Sequence, residues 1–294
     1  YDIFNLFKKN KRILLFLLNE KIIQIDNSII SKMKLMGYFK FFSIEIKKFV
    51  NELIRQEKNL KTVSQLNSFI NNNEELCQKI PEDFEYKRIC AENDSYICEL
   101  IRKDLIQEFI IYVNKNNLSL HSNIETSIYE TNSFLISKKV SLIEYAAFFG
   151  SNQIFKYLFK NDVVLTSSLW LYSIHGRNPE IIHILEDLNI KPNDESYKEC
   201  LKESIKCHHN EIANYIINNY INNDNKEKFN NFYKNINFYG YNYYNFSFIP
   251  NDFDEKFIIY YSCLCDYFKI VDFLLKNRNF DVNEKINIGN KEVL

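Results

Sequence analysis

The chain has 294 residues, 46% of them hydrophobic and 26% charged, with a formal net charge of −1. That apolar content can bury a sizeable core, and the balanced charge offers no basic surplus to attract nucleic acid. Five Gly and four Pro are too few to punctuate an all-β fold, and seven Cys without framework spacing argue against a disulfide scaffold.

The thiols read as reduced, which places the protein in the cell and most simply in the cytoplasm. The chain opens on Tyr1 rather than Met, so its start carries no information about a targeting signal. The run Lys8-Lys9-Asn10-Lys11-Arg12 precedes an apolar stretch, Ile13 to Leu18, of only six residues. A bilayer span needs about 20, so no integral membrane segment is expected. "ILLFLLNEKIIQI" and "EIKKFVNELIRQ" follow as amphipathic helices, and Asn71 to Asn73 and Pro81 punctuate what comes next. A boundary is placed in the stretch 85–93, giving a helical N-terminal region over 1–92, with degenerate repeats allowed, and a second domain over 93–294.

Ile97 to Val113 reads as a helix pair turning near Lys103-Asp104. A long connection follows, with a short helix expected near Ser127-Tyr129. "SLIEYAAFFGSNQIFKYLFKN" then carries two apolar stripes, Leu142, Ile143, Ala146 and Ala147, and Ile154, Phe155, Tyr157 and Leu158. Gly150 separates them and suits a tight turn at positive φ, while Ser141 and Glu144 have capping-box spacing.

One such hairpin cannot bury its own stripes, so recurrence is the useful test. "SLWLYSIHGRNPEIIHILEDLN", "ECLKESIKCHHNEIANYIINNY" and "FIIYYSCLCDYFKIVDFLLKN" repeat the pattern. Ala146, Ser173, Ser204 and Ser262 share one small position. Ile154, Ile181, Ile212 and Ile270 share one apolar position, and Leu158, Leu185, Ile216 and Leu274 share another. The small-residue spacings are 27, 31 and 58, and the doubled value implies a degenerate, aromatic-rich unit between Asn222 and Asp254. Small residues there let neighbouring helices approach closely.

The pattern resembles the ankyrin repeat. "SLIEYAAFFGSNQIFKYL" matches at Ser141, Ile143, Ala146, Ala147, Gly150, Ile154 and Leu158, and "KIVDFLLKNRNFDVN" at Ile270, Val271, Phe273 and Leu274, with Asp281-Val282-Asn283 resembling the loop after the unit. The stretch from "ENDSYICELI" to "SLWLYSIHGRNPEIIHILE" is similar to a lineage-expanded set of protist ankyrin proteins of unassigned function. The resemblance covers about residues 85 to 285, and residues 1 to 84 weakly. Most units lack the Thr-Pro start, and Asp162 and Asn189 stand where a Gly is usual. The resemblance implies an all-α fold, an ankyrin-like helical-hairpin solenoid, whose concave face and loops bind a protein without catalysis.

Chemistry is sparse. Five scattered Gly build no phosphate cradle, so no nucleotide cofactor is expected. Cys263 and Cys265 read as packing residues, and His175 and His183 have no partner dictated by sequence. Trp170, the only Trp, reads as core. The exposed positions of the first helices align as Tyr145, Phe148, Tyr172, His175, Glu203, Lys206, Tyr261 and Leu264, and this row is the candidate protein-binding face. No catalytic, cofactor or metal residue is assigned, and a monomer is expected. Two rival readings are a metal-dependent hydrolase using Cys207, His208, His209 and Glu211, and a membrane-surface module using Lys8 to Arg12. In register, Cys207, His208 and His209 fall on an inter-helix turn, with His208 at the place of Gly150, where mild backbone strain is expected.

Overall fold

A computed structural model describes residues 3–194, 196–221, 236–249, 255–264, 268–277, 286–288 and 291–293. The regular structure of the described residues is helical apart from one short strand hairpin and an isolated bridge. Their contacts divide the chain into two compact units, Tyr1–Leu142 and Ile143–Leu294.

The first unit holds α1 (Ile3–Phe7), α2 (Lys11–Asn19), α3 (Asn27–Leu35), α4 (Ser43–Gln56), α5 (Leu60–Asn71), α6 (Glu74–Cys77), α7 (Phe84–Cys90), α8 (Tyr96–Arg102), α9 (Ile106–Lys115) and α10 (Ser133–Ile136). Helix starts follow from capping chemistry: the Asn10 side chain accepts from the Ile13 N–H (3.0 Å) and Asp26 from the Ile29 N–H (2.7 Å). Leu14, Met33, Phe41, Phe42 and Ile46 close a core between α2, α3 and α4. Arg88 on α7 lies buried across the rings of Phe41 and Phe84, its guanidinium paired with both oxygens of Glu45 (3.1 and 2.7 Å).

The division at Leu142 keeps the α8–α9 hairpin with the N-terminal helices. Polar contacts cross the boundary expected at 92/93: Thr131 Oγ1 donates to the Ala91 carbonyl (3.1 Å), and Arg102 Nε pairs with Glu92 Oε2 (2.9 Å). The connection after α9 is thereby tied to the α7–α8 junction. Its short helix is α10, not Ser127–Tyr129. Ser127 instead donates to Asp94 (2.7 Å) and accepts from the Tyr129 N–H (3.1 Å), a turn that competes with helix.

The second unit holds α11 (Leu142–Phe149), α12 (Asn152–Lys160), α13 (Leu169–Gly176), α14 (Pro179–Asp187), α15 (Lys198–Lys206) and α16 (Asn210–Ile216), the last running into a π-helical turn, Ile217–Ile221. A helix over 236–242, α17, is followed by a 3₁₀ turn, Phe246–Phe248. Then come α18 (Glu255–Leu264), α19 (Phe268–Asn277) and an antiparallel two-stranded hairpin, Ile286–Ile288 with Lys291–Val293. First helices of successive hairpins pack together (α13 on α15), as do second helices (α12 on α14).

Five hairpin turns in the described residues share one geometry. Asp104, Gly150, Arg177, His208 and Tyr244 all take left-handed φ, between +50° and +68°. After four of them the next N–H reaches the carbonyl five residues back: Leu105 to Leu100 (3.0 Å), Ser151 to Ala146 (2.9 Å), His209 to Ser204 (2.9 Å) and Asn245 to Gly240 (2.8 Å). This Schellman closure satisfies helix-end carbonyls and requires positive φ at one residue. Non-Gly residues accept that strain because tertiary packing fixes the turn. Asn117, Asp162 and Asn189 repeat the conformation after the second helices, at φ +49°, +62° and +53°.

The residue after three of these left-handed positions stitches its hairpin to the preceding one. Asn178 Nδ2 donates to the Gly150 carbonyl (2.9 Å), the His209 Nδ1–H to Ile174 (2.7 Å), and Asn245 Nδ2 to Ile205 (2.9 Å). Each reaches a carbonyl at or just past the end of the preceding first helix, and those of Ile174 and Ile205 also accept from the Arg177 and His208 N–H groups (3.3 and 3.1 Å). Gly240 stands four residues before its left-handed Tyr244, as Ala146, Ser173 and Ser204 do before theirs, so the aromatic-rich stretch supplies a first helix and a turn. The rest of that stretch, 222–235 and 250–254, lies outside the described residues.

Ala146, Ser173, Ser204 and Ser262 are buried, and the two middle hydroxyls donate back to Leu169 and Cys200 carbonyls (2.7 and 2.8 Å). Ile154, Ile181, Leu158, Leu185 and Ile216 are fully buried, and Trp170 is core, its indole N–H on the Ile190 carbonyl (2.6 Å). Ile212 is only partly buried; Ala213 takes the inward seat in that hairpin. Cys265, Asp281, Val282 and Asn283, with the side chains of Ile270 and Leu274, lie outside the described residues.

Candidate functional site

The expected binding face is largely interior. Tyr145 and Tyr172 are fully buried, and Phe148 and Tyr261 nearly so. Two of the rings fill seams between hairpins, Phe148 stacking on His175 at 4.6 Å and Tyr261 on Tyr241 at 5.4 Å, while Tyr145 lies 4.7 Å from Phe149 of its own helix. Of the eight residues, only Lys206 is exposed; His175 and Glu203 are half-buried, and the Leu264 side chain lies outside the described residues. The sequence did carry the signal. "LIEYAAFF" and "LWLYSI" are apolar on nearly every side, the mark of a helix covered all round, whereas "KECLKESIK" has a polar face.

Where α13 meets α15, three of those residues and Cys207 form a polar cluster in this apolar wall. The His175 Nε2 lies 3.0 Å from Glu203 Oε1, and its Nδ1 lies 3.6 Å from Cys207 Sγ. Cys207 Sγ is 3.8 Å from Glu203 Oε1 and 4.0 Å from His175 Nε2. Lys206 Nζ reaches both Glu203 oxygens (2.9 and 3.1 Å). Glu203 and Cys207 come together because they are one helical turn apart, and the hairpin stitches bring His175 to them. Among the described residues this is the group of His, Cys, Asp and Glu close enough to share one ion.

The electrostatics define what the cluster can do. Burial alone would raise the Glu203 pKa, but hydrogen bonds from His175 and Lys206 and their charge hold it at about 2. Burial, reinforced by the Glu203 charge, pushes the Cys207 thiol up to about 12. A Cys–His–carboxylate line needs a thiolate to attack a substrate, and a carboxylate beside the sulfur opposes one. The arrangement therefore favours a neutral thiol.

The hydrolase constellation does not assemble. The His208 Nε2–H donates to the Tyr243 carbonyl (3.0 Å), His209 is committed to Ile174, and Cys207 turns towards His175. Burial lowers the His209 pKa below its ordinary value. Glu211 lies instead in a groove with Arg177, His183 and Tyr215. Consecutive residues on a Schellman turn point to different sides, so adjacency in sequence does not become convergence in space. His208 does carry the expected strain, at φ +57°.

The basic run is also split. Lys8, Lys9 and Arg12 are exposed, but Lys11 is buried. Its ammonium donates to the Ile128 carbonyl (2.5 Å) and lies over the Tyr38 and Phe41 rings (5.6 and 5.1 Å). Burial brings its pKa down to about 8, against some attraction from Glu130. It serves the core of the first unit and is not presented to a membrane. Among the described residues, no helix is long and apolar enough to cross one.

A second concavity is polar. The loops before α13 and after α14 form an open groove with Glu144, Thr166, Ser167, Asn189, Lys191 and Asn193 on its walls. Ser168 Oγ donates to Glu144 Oε1 across one end of it (2.7 Å). The six cysteines in the described residues, Cys77, Cys90, Cys98, Cys200, Cys207 and Cys263, are free thiols. No family model, curated protein or solved structure matches this chain.

Proposed function

We propose that this chain is a non-catalytic protein-recognition module, an ankyrin-like solenoid that holds a rigid surface for a protein partner. The observation that carries the reading is the recurrence of one hairpin turn at a fixed register, with three successive turns, at Asn178, His209 and Asn245, each stitched to the turn before it by a side-chain-to-carbonyl bond. Such stacking produces an extended preformed surface whose loops vary independently of the core. The resemblance of the sequence to ankyrin repeats supports it.

The recognition surface differs from the one the sequence suggested. Interior aromatics cannot meet a partner, so the reading assigns recognition to the loop groove around Ser167 and Lys191, with Lys206 and the half-buried Glu203 at the first-helix edge. The test is affinity capture from the native cell with the full chain as bait, comparing wild type with Ser167→Arg and Lys191→Glu. Both substitutions fall on loops and leave the helical circular dichroism unchanged. Partner recovery is expected to fall at least tenfold. Recovery equal to wild type for both variants refutes the groove, and a wild-type bait that captures nothing beyond a denatured control refutes the module.

A further inference from the structure

We propose that His175, Glu203 and Cys207 form a binding site for a borderline divalent cation of the Zn²⁺ class, which clamps the α13 hairpin to the α15 hairpin. The donors are one imidazole nitrogen, one carboxylate oxygen and one sulfur, drawn from two adjacent hairpins. Mg²⁺ and Ca²⁺ call for oxygen shells, whereas mixed N, O and S donors suit Zn²⁺ or Co²⁺.

The spacing fits. In a tetrahedral zinc site, bonds of about 2.0–2.3 Å put neighbouring donor atoms roughly 3.3–3.6 Å apart. Here Nε2 and Oε1 are 3.0 Å apart, Sγ and Oε1 3.8 Å, and Sγ and Nε2 4.0 Å. Each differs from the ideal by about half an ångström or less, within reach of small side-chain rotations. The cluster is also held in place. The Phe148 ring stacked at 4.6 Å fixes the imidazole plane, and Glu203 and Cys207 share a helix turn. His175 and Glu203 side chains are only 15% and 14% exposed, so little water competes for them.

Two groups must adjust. As the metal–sulfur bond forms, the Cys207 proton leaves to solvent; Glu203 is already a carboxylate. Lys206, which occupies Glu203 without a metal, swings out, and its exposed position leaves room for that. With three protein donors, the fourth position goes to water.

Cobalt(II) is the probe, titrated into the reduced full-length chain under anaerobic conditions. One equivalent is expected to give a near-ultraviolet sulfur-to-cobalt charge-transfer band with tetrahedral visible bands, and zinc displaces it. Cys207→Ser loses the charge-transfer band, His175→Gln weakens binding at least tenfold, and Lys206→Gln tightens it several-fold by removing the competing ammonium. A band that survives Cys207→Ser refutes the site, because other cysteines then hold the metal. A second measurement needs no variant: zinc should slow alkylation of Cys207 at least tenfold while leaving exposed Cys77 and Cys90 unaffected. Equal alkylation of Cys207 with and without zinc overturns the proposal.

Discussion

Gly176→Ala separates a contact between hairpins from the intrinsic preference of a helix. Gly176 ends α13 with φ outside the left-handed region, so Ala fits its backbone. Considered as an isolated helix, the substitution should stabilise by about 1 kcal/mol, since Gly loses more backbone entropy on folding. The tertiary structure reverses the sign. An added Cβ would sit inside van der Waals contact of the Ala147 carbonyl oxygen and 2.7 Å from the Gly150 nitrogen. Both obstacles are backbone of the preceding hairpin and cannot rotate away. Overpacking of this kind costs up to about 3 kcal/mol, and subtracting the helix gain leaves a net loss of about 2 kcal/mol. Urea unfolding followed by circular dichroism and by the fluorescence of Trp170, the sole Trp, measures it directly. A variant as stable as wild type, or more so, would falsify the close approach of α11 and α13 and remove the main support for stacked hairpins.

In the first unit, Arg88→Ala leaves Glu45 with an unpaired and mostly buried carboxylate, so a loss of about 3–5 kcal/mol is expected. A double variant, Arg88→Met with Glu45→Met, should recover most of that loss in the same denaturation assay; no recovery would mean that the pair is not what sets the cost. Lys11 predicts a pH effect of definite sign. Its folded pKa of about 8 lies below the ordinary lysine value of 10.5, so the unfolded chain holds the extra proton between those values. Its contribution to stability is therefore worst below pH 8 and improves as pH rises towards 10.5. The advantage of Lys11→Met over wild type should shrink by about 2 kcal/mol between pH 7 and pH 10. A gap that stays constant across that range would show that Lys11 titrates normally.

Much of the local architecture was legible in the sequence. The 27- and 31-residue spacings of Ala146, Ser173 and Ser204 located three hairpins, because a helix face that stacks closely admits only small residues. Asp104, Gly150 and His208 marked turns, and Asp162 and Asn189 took up the left-handed conformation at the positions where Gly was missing. These features are local: apolar period, turn closure and cap are set by a few neighbouring residues. Exposure is not local. Tyr145 and Tyr172 looked like an outward row when one hairpin was considered alone, and only the packing of the next hairpin against them turned that row into a seam. The site shows the same division. The sequence puts Cys207 beside His208 and His209, and the Schellman turn sends the three side chains apart. His175 reaches Glu203 and Cys207 from about 30 residues away in sequence, because helix α13 lies against α15. Composition and period determined which segments are helical and where each turns. Only tertiary contact decided which polar groups meet, because that depends on the distance between helices and not on spacing along the chain.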